Sequence, residues 1–169
     1  MAESDRESRL TDWVSRYSDT LLRLCFIQLQ DRALAEDALQ ETFIKAWRAM
    51  PRYEQSAIQN DKAWLSRIAL NVCHDIRRSG WMRHVDAATA LDALPPSRLT
   101  VLPEDRALLL DVCTLPEKYR QVLVLYYYQR LTLRDVADIL GIDPSTVYSR
   151  LKKAEALLRR KLTEEVDMP

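Results

Sequence analysis

Six basic side chains, Arg150, Lys152, Lys153, Arg159, Arg160 and Lys161, stand between Pro144 and Lys161 against a single acid, Glu155, in a chain of zero formal net charge. Just before or among them come four hydroxyls, on Ser145, Thr146, Tyr148 and Ser149. Guanidinium and ammonium groups neutralise phosphates, and hydroxyls reach phosphates or base edges, so this segment has the chemistry of a duplex reader. A second set lies in residues 62–83. There Arg67, Asn71, His74, Asp75 and Arg78 share one helical side, and five bases face one acid. Cations with an embedded amide and carboxylate suit backbone contact plus selective contact with an unstacked base. A third set has the opposite sign. Between Asp31 and Glu41 four acids face one arginine, and Asp37, Gln40 and Glu41 fall on a common helical side. DNA repels such a face; a protein with a basic surface attracts it.

Helices must position these groups. The chain has 169 residues, 47% hydrophobic and 30% charged, with only two glycines, which favours an all-α fold of two small domains over a turn-rich sheet. Steps of three and four through Trp13, Tyr17, Leu21 and Leu24 predict a helix over 9–29. Asp31 caps a second, with Leu34, Ala38, Leu39, Phe43, Ala46 and Trp47 inward and Pro51 as its stop. Residues 51–60 then read as a loop, and a third helix runs from about 61 to Gly80. A Pro-Pro pair marks 84–102 as a linker, with a short helical piece near 87–94. Beyond it, Pro103 opens a helix to about Cys113, and Glu117–Gln129 forms another with Val122, Leu123, Tyr126 and Tyr127 on its apolar side.

Two final helices follow. Thr132 and Asp135 have capping-box spacing, Gly141 suits a left-handed turn, and Asp143-Pro144 opens the last helix. Val136, Ala137, Leu140, Ile142, Val147 and Leu151 supply the inner face of a helix-turn-helix. Its second helix presents Ser145, Thr146, Tyr148, Ser149, Arg150, Lys152 and Lys153 to a major groove.

Other classes are weaker. No HExxH, GxSxG or phosphate-loop pattern occurs, and adjacent His74 and Asp75 point different ways on a helix, so no catalytic residues are expected. Cys25, Cys73 and Cys113 lie among apolar residues without metal-ligand spacing to His74 or His84, so neither metal nor cofactor is expected. The polar start of the chain and the lack of an apolar run near ~20 residues point to a cytoplasmic protein without membrane insertion. From the residues alone, a stand-alone helix-turn-helix regulator and an all-helical interaction module stay open beside a promoter-recognition adaptor.

Three collinear strings narrow the choice. AEDALQETFIKAW (35–47) resembles region 2.2 of the extracytoplasmic-function (ECF) sigma factors. WLSRIALNVCHDIRR (64–78) resembles their regions 2.3 and 2.4, and residues 115–162, from LPEKYRQVL to ALLRRKL, resemble their region 4. The resemblance implies a region 2 domain at 1–83, a linker at 84–102 and a region 4 domain at 103–169. It implies a transcription initiation factor that binds core RNA polymerase, on the clamp coiled coil of the largest subunit and the flap of the second-largest. Asp37, Gln40 and Glu41 are then the docking residues, with Phe43 and Trp47 supporting them. Arg67, Asn71, Asp75, Arg77 and Arg78 would act in −10 strand opening and capture, with 53–60 as the capture loop. The helix from Pro144 would read the −35 duplex, and an anti-sigma factor is the implied inhibitory partner. Tyr148 stands where the family often has a basic residue.

Overall fold

Long apolar stripes at helical spacing, with few glycines to interrupt them, produce helices throughout. The computed structural model describes residues 2–56, 60–79 and 103–166, and every regular element among them is helical. Residues Met1–Leu99 and Thr100–Pro169 form separate compact units. The expected linker, its helical piece at 87–94 and the stop at Gly80 lie outside the described residues.

The first unit packs α1 (Glu3–Leu29), α2 (Arg32–Glu54) and α3 (Asp61–Arg78) against one another. Trp13, Leu21, Leu24, Phe26, Ile27, Leu65 and Ala69 are fully buried between them. Asp31 caps α2 as its spacing predicts, its Oδ1 accepting from the Leu34 N–H at 2.9 Å. Asn60 does the same for α3 through the Ala63 N–H at 3.1 Å. Each such cap contributes about 1 kcal/mol.

Two boundaries differ from expectation, for one reason. α1 begins at Glu3 rather than residue 9, and α2 continues through Pro51 to Glu54. Pro51 has no N–H to give the carbonyl of Trp47, four residues back, which is why proline usually stops a helix. Here Arg6 on the early part of α1 donates to that carbonyl, at 3.0 Å, and its guanidinium lies 4.4 Å from the centre of the Trp47 ring. A donor from another helix replaces the missing bond. Arg6→Ala leaves the carbonyl short of that partner and lowers unfolding free energy by about 1–2 kcal/mol, read as a lower urea midpoint with unchanged slope.

The extra turn of α2 moves Tyr53 out of the expected capture loop and into the core, 6% exposed. Its ring stacks on Trp64 at 4.1 Å, and Trp13 packs on Trp64 at 5.5 Å. Asp61, at the start of α3, binds the group together. Its Oδ1 accepts from the Tyr53 hydroxyl at 2.6 Å and Arg9 Nη2 at 3.3 Å, and its Oδ2 accepts from Trp13 Nε1 at 3.1 Å. Burial alone would raise the Asp61 carboxyl; the hydrogen bonds from Tyr53 and Trp13 and the charge of Arg9 outweigh it and hold the carboxyl below its ordinary range. Burial and the same carboxylate push the Tyr53 phenol up.

The second unit comprises α4 (Pro103–Thr114), α5 (Glu117–Leu123), α6 (Leu133–Leu140) and α7 (Pro144–Val166). Arg120 is 5% exposed and donates to the carbonyls of Cys113 and Leu115, at 3.4 and 3.2 Å, so it closes the end of α4. α5 does not continue as the expected α-helix to Gln129; Val124–Tyr128 form a π-helical turn. The wider turn shifts the apolar stripe. Four consecutive residues, Val122, Leu123, Val124 and Leu125, are buried, and Tyr127, expected on the apolar side, is exposed.

Candidate nucleic-acid interface

α6 starts with the predicted capping box. Thr132 Oγ1 accepts from the Asp135 N–H at 3.1 Å, and Asp135 Oδ2 accepts from the Thr132 N–H at 3.3 Å. The helix ends at Gly141, where φ is +66° and the N–H bonds back to the Ala137 carbonyl. A side chain there meets no neighbour, so only the left-handed backbone favours glycine. α7 begins at Pro144, whose absent N–H costs nothing in a first turn; the Thr146 and Val147 N–H groups bond to the Asp143 carbonyl at 3.0 and 3.1 Å. Val136 and Ala137 of α6, with Val147, Leu151 and Ala154 of α7, fill the space between the two helices and the rest of the unit.

That packing decides which side of α7 faces out. Ser145, Tyr148, Ser149, Lys152 and Lys153 are exposed, and Thr146 and Arg150 are half-buried beside them. Hydroxyls therefore cluster in the first two turns, and cations follow. Lys152 has two partners on the surface of α7. Its ammonium pairs with Glu155 at 3.6 Å and sits 5.3 Å from the centre of the Tyr148 ring. Glu155 also accepts a hydrogen bond from the Tyr127 hydroxyl, which helps push that phenol up to about 12.

In the first unit, α3 turns Leu65, Ser66, Ala69, Leu70, Val72 and Cys73 inward. Arg67, Asn71, His74, Asp75 and Arg78 are left exposed, and Asp75 lies 4.0 Å from Lys45 of α2. Arg77 is half-buried and lies off this stripe, because its register places it one residue from Arg78. On α2, Asp37 and Gln40 are exposed and Glu41 is half-buried; Phe43 and Trp47 are half-buried on their flank. Ile44, 44% exposed, continues the line of Gln40 and Glu41. Sequence reasoning passed over Ile44, although a step of four from Gln40 marks it; an exposed apolar residue beside acids is what a protein interface needs. Cys25 and Cys73 are buried together between α1 and α3, and their mutual hydrogen bond and burial push the Cys25 thiol up.

The elements now define a class: an all-helical protein with a three-helix unit carrying oppositely charged faces and a second unit ending in a helix-turn-helix. The model of Sigma-70 region 2 matches residues 13–83, and that of Sigma-70, region 4 matches residues 105–158. The ECF RNA polymerase sigma factor SigW of Bacillus subtilis is 32% identical over 172 residues, covering 94% of this chain and 91% of SigW. Two solved structures share the fold at 23% identity. CnrH, in complex with the cytosolic domain of CnrY, superposes with a TM-score of 0.71, covering 96% of this chain and 91% of CnrH. The sigma factor RpoE of Bartonella quintana, in complex with the anti-sigma factor NepR, gives 0.69, covering 93% and 99%. The chain belongs to the ECF sigma factors of the sigma-70 family, and its function is promoter-directed transcription initiation.

No helix among the described residues is long and apolar enough to cross a membrane, and no group of three or more His, Cys, Asp or Glu among them is placed to hold a metal ion.

Proposed function

We propose that the two units divide promoter recognition between them, and that this chain is a non-catalytic subunit acting in the cytoplasm. α2 docks on core RNA polymerase through Asp37, Gln40 and Glu41, with Ile44 as the apolar contact among them. α3 takes the opened −10 strand on Arg67, Asn71, Asp75 and Arg78, with half-buried Arg77 at the edge of that set. α7 reads the −35 duplex through Ser145, Thr146, Tyr148, Ser149, Arg150, Lys152 and Lys153. The observation that carries this reading is the contrast between two lines on neighbouring helices of one unit: exposed Asp37, Gln40 and Ile44 with half-buried Glu41 on α2, whose acids DNA repels, and exposed Arg67, Asn71 and Arg78 on α3. A stand-alone helix-turn-helix regulator leaves both lines without a task. An anti-sigma factor belongs to the same reading, since the Bartonella relative was captured with one.

Run-off transcription with bacterial core polymerase, with and without this chain, on a randomised promoter library tests the reading. Transcripts that depend on the chain and share spaced −35 and −10 elements support it. Duplex binding without core binding or transcripts assigns the stand-alone regulator instead. On a promoter so selected, Arg150→Ala weakens −35 binding by about three- to tenfold. It also reduces the slope of log affinity against log salt by about 0.9, the share of one phosphate contact.

A further inference from the structure

A lysine on a groove-facing helix ordinarily sweeps a wide cone and is drawn to phosphates or to guanine O6 and N7. Lys152 is held on two sides instead, by the Glu155 carboxylate at 3.6 Å and by the face of Tyr148 at 5.3 Å. Glu155 is fixed in turn by the Tyr127 hydroxyl, which comes from the π-helical turn after α5. The chain Tyr127–Glu155–Lys152–Tyr148 thus spans two helices and ends on an aromatic ring that is 53% exposed. Lys152 lies against the ring, which keeps about half of its surface open on the same exposed side of α7 as Ser145 and Ser149. Of the four bases, only thymine shows a major-groove reader an apolar group, its C5 methyl.

We propose that Tyr148 is a specificity-determining residue that packs against a thymine methyl in the −35 element, and that Tyr127, Glu155 and Lys152 are positioning residues that hold its ring. This rests on the reading of α7 as the −35 helix. It makes Lys152 a brace for the reader rather than a contact to guanine.

The test uses the full chain assembled with core polymerase and a promoter selected from the library, with each −35 thymine replaced in turn by deoxyuridine. The unmodified chain loses about fourfold in affinity at one position, the share of one buried methyl. Tyr148→Ala erases the difference between thymine and uracil there, Tyr148→Phe keeps it, and Tyr127→Phe and Glu155→Gln reduce it part-way while the chain melts at an unchanged temperature. Indifference to uracil at every −35 thymine, discrimination that survives Tyr148→Ala, or a −35 element without thymine overturns this proposal alone. If the holoenzyme selects no −35 element at all, the underlying reading of α7 fails first and takes this one with it.

Discussion

Asp61→Asn lowers the unfolding free energy by about 2–3 kcal/mol, read as a fall in the urea midpoint with unchanged slope. The asparagine oxygen can replace only one of the two carboxylate oxygens. If it keeps Tyr53, its NH2 group faces the Nε1–H of Trp13, donor against donor, inside a residue with 0% exposure. A buried donor left without an acceptor costs about 1–3 kcal/mol. Loss of the pair with Arg9 adds less, because the Arg9 and Asp61 side chains keep 21% and 31% of their exposure and water screens them. The sign with pH follows from the depressed carboxyl. A group whose folded value lies below its ordinary one stabilises the fold above that ordinary value, 3.8 here, and loses its contribution as pH falls through the folded value. The gap between the natural chain and Asp61→Asn is therefore full at neutral pH and closes on acidification below about that value. A gap that stays constant down to pH 2 would assign the loss to packing rather than to the charge.

Asp61 also shows why parts of this fold are hidden in the sequence. Read locally, it is an acid in the first turn of a helix, where the helix dipole favours one. Its partners Arg9, Trp13 and Tyr53 come from two other helices, and no spacing rule connects them. Pro51 is hidden the same way: the proline is visible, but the donor that lets the helix pass it is Arg6 on α1. The helix-turn-helix is legible because its devices are local. Thr132 with Asp135, Gly141 and Pro144 act within a few residues, and the structure keeps each of them in the expected role. The π-helical turn has no such mark, since a run of apolar residues reads equally well as an α-helical core segment. The exposed line Arg67, Asn71, His74 and Arg78 was readable from periodicity alone, whereas the restraint on Lys152 depends on Tyr127 and was not.

Asn71→Ala reduces open-complex formation by about tenfold or more and leaves binding to core polymerase unchanged. Asn71 is exposed on α3, so its truncation removes no buried contact and stability stays within about 0.5 kcal/mol. Any large defect therefore arises on the DNA side. Extruding a base costs a few kcal/mol, and an amide bonding the edge of that base returns about 1–3 kcal/mol, or one to two powers of ten in the equilibrium. Under the proposed division of roles the cations on either side meet the strand backbone, where contacts carry no preference among bases, so they do not substitute for the amide. Under the same proposal docking is insulated, because its residues Asp37, Gln40 and Glu41 lie on α2. Permanganate reactivity of −10 thymines reads strand opening, and anisotropy with labelled chain reads core binding. On a promoter already unpaired across the −10 element, a defect that persists assigns Asn71 to capture of the free strand, and a defect that vanishes assigns it to the opening step. Equal loss of opening and of core binding would make Asn71 a structural residue, and would move the −10 reading from α3 to another surface.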